Sequence, residues 1–205
     1  MVVPRAGLTH IQNRNEPAWT RTHGGRRYSI LISAIYIRRR IAGLAREIIR
    51  ETRKNKQDEI NLLIVLKGAA FFGCRLAQEI FRAGGPDVVL HFVSASSYGK
   101  STRSSGLCRI TGKFNMLRGR NVIVIEDICD TGLTLSELKQ RLKKAGAKSV
   151  KTCVLLDKPG RRLARLKKTS ADFIGFQIPN FFVAGFGLDH AEKYRELPFI
   201  AAIWR

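Results

Sequence analysis

Acid is what this chain is short of: 16 Asp and Glu stand against 37 Lys and Arg, a formal charge of +21 at pH 7. A small domain stays soluble with far less, so the surplus is a field that draws in anions. It attracts phosphorylated small molecules and binds nucleic acid or anionic membranes non-specifically at low salt, and net charge alone does not choose among them. Dedicated nucleic-acid modules are missing as well, with no aromatic-interleaved basic repeat, Cys/His finger or heptad zipper. No apolar run approaches the roughly 20 residues that a membrane-spanning helix needs, so a soluble, cytoplasmic protein without a membrane partner is expected. Cys74, Cys108, Cys129 and Cys153 form no Cys-x-x-Cys pair, which argues against a zinc site and against a disulfide framework. They are expected to be free thiols in a reducing compartment, Cys129 as a small buried side chain.

What is present suffices for one domain, since 205 residues bury roughly 70% of the surface their unfolded chain exposes. Residues 1–27 hold a single glutamate and no sustained periodicity, and are expected to be a basic, flexible arm. Pro4, Gly7 and Pro17 interrupt any amphipathic transit-peptide helix there. Residues 28–205 form the folded domain. Tyr28 to Ser33 is a short strand, with Ser33 placed to cap a helix that runs to about Lys54 on the stripe Ile41, Leu44, Ala45, Ile48 and Ile49. Arg38, Arg39, Arg40, Arg46 and Arg50 on its other side are expected to be a solvated face rather than an RNA-binding surface.

The organising stretch is Val122 to Thr134, Val-Ile-Val-Ile-Glu-Asp-Ile-Cys-Asp-Thr-Gly-Leu-Thr. Four β-branched residues make a strand buried on both faces, and it delivers the adjacent acids Glu126 and Asp127. Two neighbouring carboxylates at a strand end repel each other unless they bind hydroxyl donors or a cation. The loop Asp130–Thr134 then leads into a helix carrying Leu135, Leu138, Leu142 and Ala145, with Gly146 as its stop. Unpaired N–H groups at a helix start bind anions, so the combination suits a sugar phosphate, its phosphate on the loop amides and its hydroxyls on the two acids. The pattern recurs earlier: the buried strand Asn61–Leu66 delivers Lys67 and Gly68 to a helix from about Ala69 to Arg82, which suits a second phosphate group. Asp87 to Val93 and Lys151 to Leu156 are further strands, and the polar, acid-free segment from Ser94 to Arg120 is either disordered or a functional lid.

Strands alternating with helices imply an α/β domain with a mostly parallel sheet and ligands at its carboxyl edge. The stretch Val122–Thr134 resembles the phosphoribosyl-pyrophosphate signature of the purine phosphoribosyltransferases, and most closely the hypoxanthine-guanine enzymes, a type I family. Leu66-Lys67-Gly68 is similar to that family's pyrophosphate loop, in which the peptide before the lysine is often cis. Ser97-Tyr98-Gly99 resembles the start of its mobile catalytic loop. Gly175-Phe176-x-Ile178-Pro179, then Phe182-Val183-x-Gly185-x-Gly187-Leu188-Asp189, then Tyr194-Arg195-x-Leu197-Pro198 look like its base-binding and C-terminal signature. Gln177 stands where the family commonly has Glu, and His190 where Tyr is common; an exposed histidine is expected there rather than a metal ligand. The resemblance runs from about Tyr28 to Ile203 and leaves the arm and the high charge unexplained.

The resemblance implies a twisted, mostly parallel sheet flanked by helices, with a small hood of C-terminal and N-terminal segments over the site. It also implies transfer of a phosphoribosyl group from phosphoribosyl pyrophosphate to N9 of hypoxanthine or guanine, giving IMP or GMP and pyrophosphate with Mg²⁺. Asp130 would take the purine N7 proton, and Lys67 and Arg195 would hold the departing pyrophosphate beside Gly68. Thr131, Gly132, Leu133 and Thr134 would cradle the 5′-phosphate, while Ser97 and Tyr98 would close over the sugar. Lys158 would contact the 6-oxo group, Phe182 stack on the base, Val183 offer it backbone bonds, and Glu126, Asp127 and Asp189 serve the metal. A homodimer or homotetramer is expected, with nucleic acid bound only non-specifically. The rival is a regulator that keeps this fold and binds nucleic acid, and the presence of Lys67, Tyr98, Lys158, Asp189 and Arg195 favours the enzyme.

Overall fold

Residues 21–23, 26–97, 108–166 and 170–203 are described by a computed structural model. In chain order the elements are β1 (Arg21–His23), β2 (Arg26–Ile32), α1 (Ala34–Lys54), β3 (Glu59–Leu66), α2 (Ala70–Arg82), β4 (Asp87–Ser97), β5 (Cys108–Thr111), β6 (Asn121–Cys129), α3 (Leu133–Lys144), β7 (Ser149–Asp157), β8 (Phe173–Gln177), β9 (Val183–Ala184) and β10 (Ile200–Ile203). Six of the strands form one sheet in the order β5-β4-β3-β6-β7-β8, parallel except that β5 runs antiparallel to β4. Alternation along β3 explains the layering. Leu62 and Ile64 face α1 and α2, packing with Ile41, Leu44, Ile48, Phe72 and Leu76, whereas Leu63 and Val65 face α3 with Leu135, Leu138 and Leu142. The close seat of α2 needs Gly73, where a Cβ would lie 2.6 Å from the Ile64 side chain.

A second, antiparallel sheet in the order β1-β2-β10-β9 joins the two ends of the described chain into the expected hood. Among the described residues strand structure is present from Arg21, inside the stretch assigned to the arm, where backbone pairing rather than side-chain periodicity orders it. Residues 1–20 lie outside the described residues.

Other expectations shift in detail. Ser33 occupies the N-cap of α1, yet its hydroxyl makes no cap bond and is buried without a partner. Gly146 ends α3 with φ +84°, one residue beyond its C-cap. Arg38, Arg39, Arg46 and Arg50 are exposed as expected, but Arg40 is not simply solvated. Its guanidinium donates to Gly175 O at 3.0 Å and Ile174 O at 2.6 Å, carbonyls of β8, the edge strand of the sheet among the described residues, and pairs with Glu47 at 2.7 Å. The segment Ser94–Arg120 is not all loop either. β4 continues to Ser97 and returns as β5, a hairpin that touches the core through Ile110 and Ala95 among the described side chains. Residues 98–107, Tyr98 among them, lie outside the described residues.

Phe72 is fully buried where α2 meets the sheet. Phe72→Ala is expected to lower unfolding stability by about 3–5 kcal/mol in a urea titration; a loss under about 1 kcal/mol would mean that this layer does not hold the sheet.

Candidate active site

The carboxyl ends of β3, β6 and β7 meet beneath the hood, and each delivers a turn with chemical content. After β6 the chain turns at Asp130–Gly132, with Gly132 in the left-handed region at φ 85° as the N-cap of α3. The Leu133 amide donates to Thr131 Oγ1 at 3.4 Å, and no acid occupies the first turn of the helix to neutralise its dipole. Thr131, Gly132, Leu133 and Thr134 therefore surround a helix start suited to an anion.

After β3 the Leu66–Lys67 peptide is cis, as the resemblance implied. Gly68 lies flush against β6: a Cβ there would sit 1.9 Å from Asp127 Oδ2. The hood reaches the same point, since a Cβ on Gly187, itself at φ 101°, would sit 2.0 Å from Gly68 O. Three chain segments distant in sequence thus touch at two glycines, Gly187 against backbone and Gly68 against the Asp127 carboxylate.

Glu126 and Asp127 part company at the strand end. Glu126 accepts a hydrogen bond from the Thr134 side chain, while Asp127 faces Gly68 and takes the Ile128 amide at 2.9 Å. Burial pushes the Glu126 carboxyl up to about 8, and the Asp127 charge adds to this, against the Thr134 bond and the Arg162 charge. Burial likewise pushes Asp127 up to about 6; amide donors and Arg195 oppose the rise, and Asp189 adds to it. Arg195 holds the hood side together, pairing with Asp189 Oδ1 at 2.9 Å and donating to Gly187 O at 2.8 Å. Lys67 reaches Glu192 Oε2 at 2.9 Å, and these cations keep the Glu192 carboxyl below its ordinary range, the Lys67 hydrogen bond first.

After β7 comes Lys158, buried, with its ammonium donating to Phe181 O at 2.6 Å. Burial lowers its pKa, the Asp130 charge opposes this, and Arg161 adds to it. The neighbouring Phe182 is 48% exposed, so its ring is open to a stacking partner, and it meets His190 edge-on at 5.0 Å. His190, expected to be exposed, is instead half-buried between Phe182 and Tyr194, packed as an aromatic ring. Val183 is buried in β9 and paired with Ala202. Asp130 accepts from Arg161 Nε at 3.1 Å.

Asp157, Arg162 and Glu192 went unassigned in the sequence. Arg162 forms a buried ion pair with Asp157 and donates to Cys129 O and Asp130 O, both at 2.6 Å, so one guanidinium ties the exit of β6 to the exit of β7. The run Asp157-Lys158-Pro159-Gly160-Arg161-Arg162 held the only clue, two arginines beside an acid at a strand end. Cys129 lies behind this tie, its thiol pushed up to about 12 by burial, which suits an inert packing residue. Cys74 and Cys153 are also free thiols. Among the described residues no group of three or more His, Cys, Asp or Glu is placed to hold a metal ion. Glu126, Asp127 and Asp189 therefore do not converge as one ligand set: the Asp127 charge bears on Glu126 and the Asp189 charge on Asp127. The Ser97 side chain, like Tyr98, lies outside the described residues.

The phosphoribosyl transferase domain family matches residues 32–191 of the chain. The hypoxanthine-guanine phosphoribosyltransferase of Mycobacterium avium is 38% identical over 96% of this chain and 96% of its own length. That of Bacillus subtilis is 42% identical over 85% of this chain and 92% of its own. The solved hypoxanthine phosphoribosyltransferase of Trypanosoma cruzi, in complex with its product IMP, superposes with a TM-score of 0.78 at 34% identity, covering 90% of this chain and 97% of its own.

The raised carboxyls at the end of β6 make stability depend on pH. Both keep their protons to higher pH folded than unfolded, so between about 4.5 and about 8 the unfolded chain binds fewer protons and stability falls as pH rises. Without added substrate or magnesium, the unfolding free energy is expected to drop by roughly 2 kcal/mol or more from pH 5 to pH 8.5, with a shallower drop in Glu126→Gln. An identical slope in that variant would remove Glu126 as its source.

Proposed function

Since the chain belongs to the phosphoribosyl transferase family, and within it to the hypoxanthine-guanine phosphoribosyltransferases of purine salvage, we propose that the turns after β3, β6 and β7 divide one reaction among them. The substrates are phosphoribosyl pyrophosphate and a 6-oxopurine, and the products are IMP or GMP and pyrophosphate. The observation that supports this division is the contact of Gly68 with both Asp127 and Gly187, which puts the pyrophosphate turn, the sugar-binding acids and the hood around one small volume.

The 5′-phosphate rests on the amides and hydroxyls of Thr131, Gly132, Leu133 and Thr134, where the dipole of α3 is uncompensated. Glu126 and Asp127 receive the ribose hydroxyls, which add donors to those of Thr134 and the Ile128 amide. Lys67, Gly68 and Arg195 hold the departing pyrophosphate, the two cations by charge-assisted bonds. Asp130 accepts the N7 proton as N9 attacks the anomeric carbon, taking the place of its bond to Arg161. Lys158, held beside Phe182 through Phe181 O, donates to the 6-oxo group of a base stacked on Phe182, with Val183 supplying backbone bonds. Ser97 and Tyr98 begin the segment that closes over the sugar and keeps water from the oxocarbenium-like centre.

Magnesium fits this donor set, because Asp127 and Asp189 offer hard oxygens and Mg²⁺ is usually held by one or two carboxylates together with substrate phosphates. Bound there, it would neutralise charge on the leaving group as a Lewis acid. We further propose a homodimer or homotetramer in the cytoplasm, with the +21 charge steering phosphorylated substrates and binding nucleic acid only non-specifically. Among the described residues no helix is long and apolar enough to cross a membrane. A nucleic-acid-binding regulator is not favoured, because both leaving-group cations and the base lysine stand at the site.

A panel of purines with phosphoribosyl pyrophosphate and Mg²⁺, read by nucleotide formation, is expected to yield IMP from hypoxanthine and GMP from guanine. In the same assay Asp130→Asn is expected to lower turnover by about 10²-fold or more with little change in phosphoribosyl pyrophosphate binding. No nucleotide from any 6-oxopurine would refute the assignment, and undiminished turnover would take Asp130 out of the chemistry.

A further inference from the structure

An enzyme that binds a highly charged anion has reason to keep its own acids away from the binding cations, and this chain has only 16 acids to place. Yet Glu192 stands between the two cations assigned to the leaving group. Its Oε2 lies 2.9 Å from Lys67 Nζ and its Oε1 lies 3.4 Å from Arg195 Nη2, so one carboxylate bridges both. The placement is built into the turn. The Glu192 amide donates to Asp189 Oδ2 at 2.8 Å, His190 and Lys193 exchange backbone bonds at 3.0 and 3.2 Å, and Ala191 and Glu192 sit at φ 54° and 63°, a conformation uncommon for residues with side chains. Arg195 is further anchored on Asp189 and Gly187 O, so it presents one edge to Glu192 without depending on it.

We propose that Glu192 is an internal stand-in for pyrophosphate, a carboxylate that occupies the leaving-group cations and thereby sets how tightly the enzyme holds pyrophosphate and its phosphoribosyl ester. The proposal rests on the assignment of Lys67 and Arg195 to the leaving group. Lys67 is 71% exposed and Glu192 67%, and ion pairs this open to water are weak. A polyphosphate with more charge and more acceptor oxygens therefore displaces the carboxylate, and the carboxylate returns as the product leaves. Among the described residues the Glu192 carboxylate pairs with the two leaving-group cations and with neither Lys158 nor the sugar acids.

The test is titration calorimetry of inorganic pyrophosphate in magnesium buffer, together with Michaelis constants, for the wild type, Glu192→Gln, Lys67→Met, the double variant, and Glu196→Gln. Glu196 lies in the next turn and pairs with neither Lys67 nor Arg195 among the described residues. Glu192→Gln is expected to bind pyrophosphate about 3- to 10-fold more tightly and to lower KM for phosphoribosyl pyrophosphate likewise, with KM for hypoxanthine unchanged. That gain should shrink markedly when Lys67 is also Met, and Glu196→Gln should not reproduce it. Unchanged or weaker binding in Glu192→Gln would overturn the inference, as would an equal gain in Glu196→Gln or a full gain in the double variant. If Lys67→Met itself binds pyrophosphate as the wild type does, the assignment of Lys67 falls and the inference with it; a loss in Lys67→Met beside no gain in Glu192→Gln would sink the inference alone.

Discussion

The contact of the Asp127 carboxylate with the backbone of Gly68 decides the shape of the site. Any side chain at that position would overlap Asp127 Oδ2, so the turn after β3 and the Asp127 carboxylate keep their present places because residue 68 is a glycine. Gly187 repeats the condition one layer out and lets the hood close onto the same turn. Two missing side chains thus join three parts of the chain, and the parallel order of β3 beside β6 makes both turns leave the sheet at the same edge. Phosphate, sugar and leaving-group contacts can then share a single small molecule.

Charge at this edge is arranged as a set of exchanges. Desolvation outweighs the local donors of the buried Glu126 and the half-buried Asp127, which raises both carboxyls and makes hydroxyls or a cation welcome. Lys67, Arg195 and Asp130 are each paired internally, with Glu192, Asp189 and Arg161. In the proposed reaction, bound substrate would substitute for these partners without leaving charges bare. The Arg162–Asp157 pair behaves differently, being almost fully buried and directed at backbone carbonyls, so it holds the Asp130 loop and the Lys158 turn in one frame. Removing either partner from such a pair strands a charge, whereas an exposed pair such as Lys67–Glu192 separates at little cost.

The parts of the fold written in local sequence were legible. β3, β6 and β7 announce themselves as apolar runs, α3 begins after the Asp130–Gly132 turn and stops before Gly146, and the glycine-bearing turns mark where anions belong. The resemblance supplied the cis peptide at Leu66–Lys67 and the hood. What could not be read depends on contacts across the chain. Arg40 looked like one more surface arginine, and only the carbonyls of β8, far along the sequence, make it a structural anchor. β5 carries a polar sequence that an edge hairpin tolerates and a buried strand would not. His190 looked exposed because its ring partners, Phe182 and Tyr194, meet it only after the C-terminal turn has formed. Glu192 and Arg162 acquire meaning from partners on other segments.

The claim that three turns grip one doubly phosphorylated sugar is tested most directly by calorimetric titration of phosphoribosyl pyrophosphate into Gly68→Ala, compared with the wild type. A methyl group at residue 68 must displace the Asp127 carboxylate or the pyrophosphate turn from its place, and the account predicts at least a tenfold weaker dissociation constant, about 1.4 kcal/mol, in a protein that keeps its native circular dichroism. Wild-type affinity in that folded variant would show that the contact between the turns is not what assembles the site.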